Sequence, residues 1–237
     1  MSYIFRARSL QQEQMDTQPL DDANAARVLR TLETINRWLG GVRATLSCFE
    51  RWSKQWKPGE TIRVIDWGAG GGDLARAIVR WGRDRGFTMH MTGVDNHHTT
   101  VEYARSRCQL FPEIQWMEAD LMTFESDEPY DYAISSLTLH HLPDEVIVAL
   151  LQKSDRLARR GIVMNDLKRS ARAWAWIWLL SRLARAHPMV RNDGPLSVRR
   201  AFVRSDLEAL ARTASLPYLK VQTHFGYRYT LAGEKPS

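Results

Sequence analysis

The pattern of apolar and polar residues changes its period several times along the chain. Short apolar runs, typical of buried strands, predict strands over residues 62–67, 89–95, 114–118, 132–137 and 161–165. Apolar residues at three- and four-residue steps predict helices between them, over residues 73–81, 99–110 and 144–157. Strands that alternate with helices in this way predict an α/β fold, in which helices cover both faces of a parallel sheet.

The N-terminal part of the chain follows a different pattern. Residues 1–20 are mostly polar and predict an arm. Helical periodicity then runs from Asp21 to Trp52 and is interrupted at Gly40 and Gly41, which predicts two helices. We therefore expect an N-terminal arm and helical cap over residues 1–58, followed by an α/β domain over residues 59–237.

The C-terminal end predicts one more helix and a hairpin. Ser205, followed three residues later by Glu208, fits a capping box at the start of a helix over residues 205–214. Two short strands, residues 219–225 and 227–231, are predicted to pair through a tight turn at Gly226.

The segment VIDWGAGGGDLA places glycines at the turn between the first strand and the next helix. Because glycine has no Cβ, backbone N–H groups can approach a ligand closely there. A dinucleotide site would need G-x-G-x-x-G, but Asp73 stands where the third glycine should be. The segment instead contains G-x-G-x-G, formed by Gly68, Gly70 and Gly72. The dinucleotide interpretation is therefore the weaker one.

Acidic residues stand at the carboxyl ends of three consecutive predicted strands: Asp66, Asp95 and Asp120. Ligands of open α/β sheets bind at this edge. A carboxylate after the second strand can accept both hydroxyls of a ribose, and one after the third can accept from the exocyclic amine of adenine. Each acid alone could be a helix cap or a solvated turn residue, but their order along one edge favours a nucleoside site.

These motifs, together with SSLTLHHLPD after the fourth strand, resemble the class I S-adenosylmethionine-dependent methyltransferases over about residues 60–165. The resemblance implies a Rossmann-like, mostly parallel seven-stranded sheet with an antiparallel last strand, and S-adenosyl-L-methionine as the cofactor. TLETINRWLGG near the start of the chain, and NDLKRS and RNDGPLSVRRAF after the fifth strand, are similar to segments of a bacterial subgroup of small-molecule methyltransferases. Members of that subgroup are associated with polyketide or quinone-type metabolism.

The resemblance also implies roles for individual residues. The backbone of the glycine turn runs beside the methionine part of the cofactor, and the acids hold the cofactor's amino group, ribose and adenine. An arginine of the N-terminal helix either pairs with the cofactor's carboxylate or lies on the protein surface. The cofactor-binding residues implied in this way are Arg37, Asp66, Gly68, Gly70, Gly72, Asp95, Asn96, Asp120, Leu121 and Ser136.

A phenol or acid acceptor must lose a proton when its oxygen is methylated, so a nearby base assists the transfer. His140 and His141, just after the fourth strand, and Asp166, at the end of the fifth, are the candidates. Each also has a structural interpretation, since histidines at this place are common in the family and Asp166 can cap the following helix. No set of histidines, cysteines and acids has metal-ligand spacing, so no metal is expected.

Residues 168–204, between the fifth strand and the next helix, form an insertion longer than a plain connection requires. Its segment ARAWAWIWLLSRLARAHP carries tryptophans beside arginines. Three interpretations remain open: a helical lid over an apolar acceptor pocket, an interfacial membrane helix over about residues 172–186, or a dimer contact. A lid makes Trp174, Trp178 and Arg199 the acceptor-binding candidates, with RNDGPLSVRRAF as a mobile loop at the pocket mouth.

Composition narrows the partners and the location. The formal net charge is +6, and twelve basic but only three acidic side chains fall between Asp155 and Arg204. Such a segment suits an anionic substrate, an acidic protein, a nucleic acid or a membrane surface. The chain has no secretory apolar region and no apolar run near ~20 residues. Its two cysteines, Cys48 and Cys108, match no redox spacing, so a cytoplasmic location is expected.

The predicted activity is methyl transfer by a monomer or homodimer, with O-methylation of a small apolar phenolic, quinone-like or polyketide-derived acceptor. One alternative is a methyltransferase for a membrane lipid or a lipid-linked acceptor. Another is an RNA methyltransferase, but the chain has no recognisable RNA-binding domain. It also has SSLTLHHL where base N-methylating enzymes carry an Asn-Pro-Pro-Tyr-type motif. No nucleic-acid partner is therefore expected.

Overall fold

The computed structural model describes residues 3–17, 22–183 and 186–236. Asp21, where the first helical pattern begins, and Arg185 of the insertion lie outside the described residues. The strands are β1 Thr61–Trp67, β2 Thr88–Asp95, β3 Ile114–Glu118, β4 Tyr130–Ser136, β5 Ala158–Leu167, β6 Lys220–His224 and β7 Arg228–Glu234. The helices are α1 Gln14–Thr17, α2 Asp22–Trp38, α3 Gly41–Trp52, α4 Asp73–Asp84, α5 His98–Arg107, α6 Asp144–Leu157, α7 Ala171–Leu183, α8 Pro188–Arg200 and α9 Arg204–Thr213.

The strands form one seven-stranded sheet in the order β3-β2-β1-β4-β5-β7-β6. Neighbouring strands from β3 to β5 are parallel, and β7 is antiparallel to both β5 and β6. The predicted Rossmann-like sheet with an antiparallel last strand is confirmed. Because β1 and β4 are buried along most of their length, an apolar core lies on each face of the sheet.

The N-terminal helices close one face of this sheet. Helix α3 contributes Phe49 and Trp52 to an aromatic cluster with Trp56, Trp81 and Tyr132. The Tyr132 ring stacks on Trp52 with 5.0 Å between centroids and meets Phe49 edge-on at 5.4 Å. Part of the predicted helical cap is therefore integral to the core of the α/β fold.

The predicted capping box at Ser205 is wrong. Helix α9 begins one residue earlier, at Arg204, and its N-cap is Val203. The carboxylate that accepts from the N-cap backbone is Asp206, at 3.0 Å from the Val203 nitrogen. The same carboxylate pairs with the buried guanidinium of Arg169 at 2.9 Å, and this second contact fixes the position of the helix start.

The insertion folds as a pair of packed helices, α7 and α8. The predicted mobile loop is wrong, because residues 191–200 belong to α8. His187 caps this helix by accepting from the Met189 N–H, and Pro188 occupies its first position, where no N–H is needed. A second proline, Pro195, lies inside the helix. Within the described ranges, no helix combines the length and the hydropathy needed to cross a membrane.

Candidate active site

A cavity of about 870 Å³ lies at the carboxyl ends of the parallel strands. Residues that follow β1, β2 and β4 form its floor, and residues of α1, α2, α7 and α8 cover it. The floor is largely polar, whereas the cover combines polar side chains with an apolar group. The apolar residues of the cover and of the end of β5 are Val28, Leu29, Leu32, Ile35, Leu167, Ile177 and Val190. One continuous space therefore joins the predicted cofactor edge to the underside of the insertion.

The glycine turn forms one wall of this cavity. Gly68, Gly70 and Gly72 have φ angles of 64°, 53° and 72°, a region that other residues rarely adopt. A Cβ on Gly72 would lie 2.6 Å from the Trp116 ring, whereas a Cβ on Gly70 would meet nothing within 4 Å. The Gly70 N–H donates to Asp95 Oδ2 at 3.0 Å. The turn is therefore packed against the protein at Gly72 and open to a ligand at Gly70.

Asp66, near the end of β1, is buried and lines the cavity. Its Oδ1 has no hydrogen-bond partner in the described part of the chain. Burial, with the neighbouring charges of Asp73 and Asp95, raises the pKa of this carboxyl well above its ordinary value. A positively charged ligand would offset both effects, so an ammonium or sulfonium group fits beside Asp66.

Asp95 ends β2 and lines the cavity together with Asn96. Each oxygen of the Asp95 carboxylate accepts one backbone N–H, Oδ2 from Gly70 and Oδ1 from His97 at 3.1 Å. These two bonds fix the orientation of the carboxylate. Because each carboxylate oxygen has two lone pairs, both can accept a further hydrogen bond from a diol.

The third predicted acid, Asp120, is exposed and does not line the cavity. Its Oδ1 accepts from the backbone N–H groups of Met122 at 2.7 Å and Thr123 at 3.2 Å, and so caps the turn after β3. The neighbouring Ala119 and Leu121 are the residues of this turn that line the cavity. Asp120 is therefore a capping residue of its own turn, which is the structural alternative that the sequence analysis gave for each of the three acids.

Ser136 lines the cavity as expected, but Arg37 does not. Arg37 is exposed on α2, because the helix turns the adjacent Asn36 inward. A cation that the sequence analysis missed, Arg228 of β7, is fully buried in this wall. Its Nη2 donates to Asn36 Oδ1 at 3.2 Å, while its Nε and Nη1 have no partner in the described chain. Burial lowers the pKa of Arg228 to about 10.

Two predicted catalytic candidates, His140 and Asp166, are in contact. Asp166 Oδ1 lies 2.8 Å from His140 Nδ1, and Asp166 Oδ2 accepts the His140 backbone N–H at 3.1 Å. Burial opposes the charged form of Asp166, but the charge and hydrogen bond of His140, the Leu167 N–H and the charge of Arg228 outweigh it and lower the Asp166 pKa. In the neutral imidazole, a charged Asp166 favours the tautomer with the proton on Nδ1, and Nε2 is then the nitrogen with a free lone pair.

Glu13, which the sequence analysis also missed, faces that nitrogen. Its Oε1 lies 3.6 Å from His140 Nε2 and 3.7 Å from Arg200 Nε. Glu13 is buried, its Oε2 accepts from Ser197 Oγ at 2.9 Å, and its Oε1 has no hydrogen bond to any described residue. Burial is the main reason why the pKa of Glu13 rises to about 7.

His141, the third candidate, lines the same wall from the other side of His140. The two imidazole rings lie 4.2 Å apart between centroids. His141 Nδ1 is 2.9 Å from Asp16 Oδ1. Burial opposes the charge of Asp16, but its hydrogen bond and charge interaction with His141 lower the pKa of that carboxyl. All three candidates therefore meet in one cluster with Glu13 and Asp16.

The acceptor-binding candidates of the insertion are placed elsewhere. Neither Trp174, Trp178 nor Arg199 lines the cavity. Helix α7 buries Ala173, Ile177 and Ser181, a stripe at four-residue steps, so its tryptophans turn away from the cavity wall. The insertion reaches the cavity instead through Ile177, Val190, Gly194, Ser197 and Arg200.

Helix α8 holds the cluster together through one face. The carboxylate of Asp193 accepts the N–H groups of Gln14 and Met15, both at 3.0 Å, and so caps α1. Arg200 donates to the backbone oxygens of His140 and His141 at 3.0 and 2.9 Å. Because Asp193, Ser197 and Arg200 follow each other at four- and three-residue steps, a single helix positions both Glu13 and the histidine turn.

No local motif marks the residues that the sequence analysis missed. Glu13 stands in a polar arm, and its partners are far away in the chain. Arg228 does leave a signal, since it lies between two tyrosines at the start of a predicted strand. A charged side chain at such a position is unusual unless it has a buried partner or a ligand.

The strand order, the glycine turn and the two acids at the ends of β1 and β2 give the chain the fold of the class I S-adenosylmethionine-dependent methyltransferases. A family model described as a methyltransferase domain matches residues 64–161. The match covers the glycine turn, Asp95, Asp120 and the histidine turn.

The chain is similar to two curated methyltransferases. It is 32% identical over 106 residues to trans-aconitate 2-methyltransferase of Azoarcus sp. (strain BH72). The aligned segment covers 44% of this chain and 38% of that protein. It is 29% identical over 121 residues to ubiquinone biosynthesis O-methyltransferase of Paramagnetospirillum magneticum. This alignment covers 50% of this chain and 46% of that protein. The matched segment thus spans less than half of either relative.

The fold is similar to solved structures over most of the chain. The plantazolicin methyltransferase BpumL, solved in complex with S-adenosylhomocysteine, superposes with a TM-score of 0.68 at 13% identity. The superposition covers 94% of this chain and 93% of that one. At this identity the similarity shows the fold, which includes the helical regions outside the matched domain.

Proposed function

We propose that the protein transfers the methyl group of S-adenosyl-L-methionine to an oxygen atom of a small, largely apolar acceptor. The observation that carries this proposal is the continuity of the cavity, which is lined by Asp66, with its unpaired carboxylate oxygen, and by His140, whose imidazole pairs with the buried Asp166 behind it. The first group suits the charged part of the cofactor, and the second suits an acceptor that must lose a proton. Both curated relatives are methyltransferases, and one of them is an O-methyltransferase of ubiquinone biosynthesis, which supports methylation of a small molecule.

The cofactor would lie along the carboxyl ends of β1, β2 and β4. When bound, S-adenosyl-L-methionine supplies a methyl group on a positively charged sulfur that leaves as a neutral thioether. We assign Asp66 to its ammonium group, because that carboxylate has an unpaired oxygen at the cavity wall. Asp95 suits the ribose diol, and Asn96 and Leu121 line the cavity beside it, where the adenine would lie.

The carboxylate of the cofactor's methionine part needs a cation. Arg228 meets this need better than Arg37, because two of its nitrogens are buried, unpaired and close to the cavity. A buried guanidinium with two N–H-bearing nitrogens that make no hydrogen bond is costly, so an incoming carboxylate would be stabilised by about 1.5–3 kcal/mol through charge-assisted hydrogen bonds.

The proton of the acceptor would move to His140. Asp166 fixes the imidazole with Nδ1 protonated, so Nε2 is the nitrogen that can take up a proton. The resulting imidazolium would then lie between two carboxylates, those of Asp166 and Glu13. The apolar residues of α2, α7 and α8 would exclude water and hold the acceptor in line with the methyl group.

A second candidate function, methylation of a lipid or lipid-linked acceptor, is favoured by a specific feature of α7. Trp176, Trp178, Leu179 and Leu183 are exposed on this helix, and the Arg182 guanidinium stacks 4.1 Å above the Trp178 ring. Exposed tryptophans beside arginines are typical of helices that lie in a membrane interface. This face is on the outside of the helix pair whose inner residues line the cavity.

The first proposal is tested by calorimetric titration with S-adenosylhomocysteine, followed by transfer of a labelled methyl group to a panel of hydroxylated aromatic and acidic acceptors. We expect micromolar binding to the wild type and a loss of about tenfold or more in Asp95→Ala. Asp127→Asn, in an exposed loop, serves as the matched control and should bind normally. Absence of binding to the folded wild type would refute the proposal.

A further inference from the structure

Three side chains from distant parts of the chain meet at the acceptor end of the cavity: Glu13, His140 and His141. Each offers a ligand atom, and these atoms all lie within 4.8 Å of one another. Glu13 comes from the segment before α1, and the two histidines come from the short 3-10 turn after β4. The set consists of two imidazoles and one carboxylate, a combination that binds transition metals in many proteins.

The spacing of the buried pair suits a shared ion. Glu13 Oε1 and His140 Nε2 are 3.6 Å apart, which is too far for a good hydrogen bond, for which about 3.2 Å is the usual limit. A single bridging water with ordinary hydrogen bonds would hold the two atoms about 4.5 Å apart. Two ligands at about 2.0–2.1 Å from one tetrahedral ion are about 3.3 Å apart. The observed distance fits a shared ion as well as it fits an ordinary ion pair between the two side chains, and it is too short for a bridging water.

The groups behind the three side chains are those that orient metal ligands. His140 Nδ1 is 2.8 Å from Asp166, and His141 Nδ1 is 2.9 Å from Asp16. A histidine ligand almost always donates its other nitrogen to a carboxylate, a carbonyl or a water. Glu13 Oε2 accepts from Ser197 Oγ, while Oε1 stays buried without a hydrogen bond in the described chain. Each side chain is therefore held in place by a partner of its own.

Charges of both signs surround the cluster. The carboxylates of Glu13, Asp16 and Asp166 face the two imidazoles. Arg200 lies with its Nε 3.7 Å from Glu13 Oε1, and the charges of Arg8 and Arg228 act on Asp166. Most of the Arg200 donors are engaged with backbone oxygens of the arm and of the histidine turn, and Glu13 Oε1 keeps no hydrogen bond in the described chain. The case for a cation therefore rests on the ligand atoms and their geometry.

We propose that Glu13, His140 and His141 bind a divalent first-row transition ion of the Zn²⁺ type, with its remaining coordination positions directed at the acceptor end of the cavity. The assignment of the ion to the acceptor rests on the proposed function, whereas the binding of the metal does not. An acceptor hydroxyl coordinated to the ion loses its proton to water more readily than a free one. His140 then acts as a ligand, and the ion replaces it as the group that promotes deprotonation.

The experiment measures metal binding directly on the full chain after treatment with a chelator. Zn²⁺ is titrated by calorimetry, and Co²⁺ is titrated while its visible absorption bands report ligand geometry. We expect one tight ion per chain, with an affinity that falls more than about tenfold in Glu13→Gln and in His141→Asn. His90→Asn is the matched control, because His90 is an exposed histidine of β2 near the carboxylate of Glu113 and does not line the cavity.

The outcomes separate this proposal from the proposed function. Loss of the ion in both cluster variants, with S-adenosylhomocysteine affinity and the circular dichroism spectrum unchanged, supports a metal site on the acceptor side. Equal Co²⁺ spectra in the wild type and both cluster variants, or a loss only in His90→Asn, would show adventitious surface binding and overturn it. Failure of the wild type to bind S-adenosylhomocysteine would refute the methyl transfer and leave the metal titration to be judged by itself.

Discussion

At the scale of single residues, Asp66 occupies the proposed ammonium-binding position at a cost to stability. Its carboxyl is buried with an unpaired oxygen beside two other acids. In the folded chain its pKa is raised, so the native state holds a proton that the unfolded chain releases near the ordinary carboxyl pKa. The free energy of unfolding therefore falls as pH rises from that ordinary pKa toward the raised one.

We predict that Asp66→Asn stabilises the free protein and weakens ligand binding. An amide does not ionise, so this pH-dependent loss of stability disappears. The variant should exceed the wild type by on the order of 1–3 kcal/mol at about pH 8, and the difference should shrink toward about pH 4. Urea unfolding at both pH values measures this, and calorimetry should show weaker S-adenosylhomocysteine binding. A variant no more stable than the wild type at the higher pH would contradict the prediction.

A second prediction at this scale compares two arginines. Arg228→Met should weaken S-adenosylhomocysteine binding by about 10–100-fold, because it removes the buried cation assigned to the methionine carboxylate. Binding of 5′-methylthioadenosine, which lacks that carboxylate, should not change. Arg37→Met, on the exposed face of α2, is the control and should bind both compounds normally.

The same two arginines can also give the opposite results. If Arg228→Met leaves both affinities intact and raises KM for acidic acceptors, Arg228 holds the acceptor instead. If Arg37→Met is the variant that loses affinity, the sequence-based assignment was right. Arg228→Lys keeps the charge and serves as the second variant should the methionine substitution prevent folding.

The local sequence predicted the residues whose chemistry follows from their position on a strand. Asp66 and Asp95 stand at strand ends, and parallel strands bring their carboxyl ends to one edge. Asp120 follows the same rule, but its carboxylate bonds with the two N–H groups of its own turn. Glu13 and Arg228 could not be found in this way, because their partners come from remote elements through tertiary packing.

At the scale of elements, the insertion positions the site rather than only covering it. The sequence left three interpretations open, and the lid among them required tryptophans that contact the acceptor, followed by a mobile loop. The structure has two packed helices, and the polar face of α8 carries Asp193, Ser197 and Arg200. Helical periodicity from 188 to 200 is hidden in the sequence by Gly194 and Pro195, which usually mark turns.

We therefore predict that Asp193→Ala disturbs the reaction without touching the acceptor. Its carboxylate accepts two N–H groups at the start of α1, so its loss should cost about 1–3 kcal/mol of stability. Because α1 follows Glu13, turnover and metal binding should fall while S-adenosylhomocysteine affinity stays within a few-fold. Arg191→Ala, exposed on the same helix, is the control. If the Asp193→Ala variant is destabilised but its turnover is unchanged, α8 supports only the fold and does not position the site.

At the scale of the whole molecule, the placement of charge and apolar surface bears on where the acceptor comes from. Much of the basic charge falls between Asp155 and Arg204, and this segment includes the exposed tryptophans and leucines of α7. An apolar face alone would favour self-association, and basic charge alone would favour any anion. Arg160, Arg169 and Arg200 are engaged within the fold, so Arg172 and Arg182 are the basic residues on α7 beside the tryptophans. A helix face with tryptophans and these arginines matches an anionic membrane surface, to which the basic residues contribute attraction and the tryptophans contribute burial.

The membrane interpretation predicts that the wild type sediments with phosphatidylglycerol vesicles at about 50 mM salt and is released at about 500 mM, where the Debye length has shrunk to a few ångströms. Replacing Trp176 and Trp178 by serine should abolish sedimentation, because both side chains are exposed and neither lines the cavity. The same variant should methylate a water-soluble acceptor at the wild-type rate. Replacing Leu110, an exposed leucine far from the insertion, by serine should change neither property. The opposite result is that the wild type does not bind the vesicles and the tryptophan variant has a lower molecular mass by light scattering. The exposed face of α7 is then a dimer contact, and an acceptor from the aqueous phase is favoured.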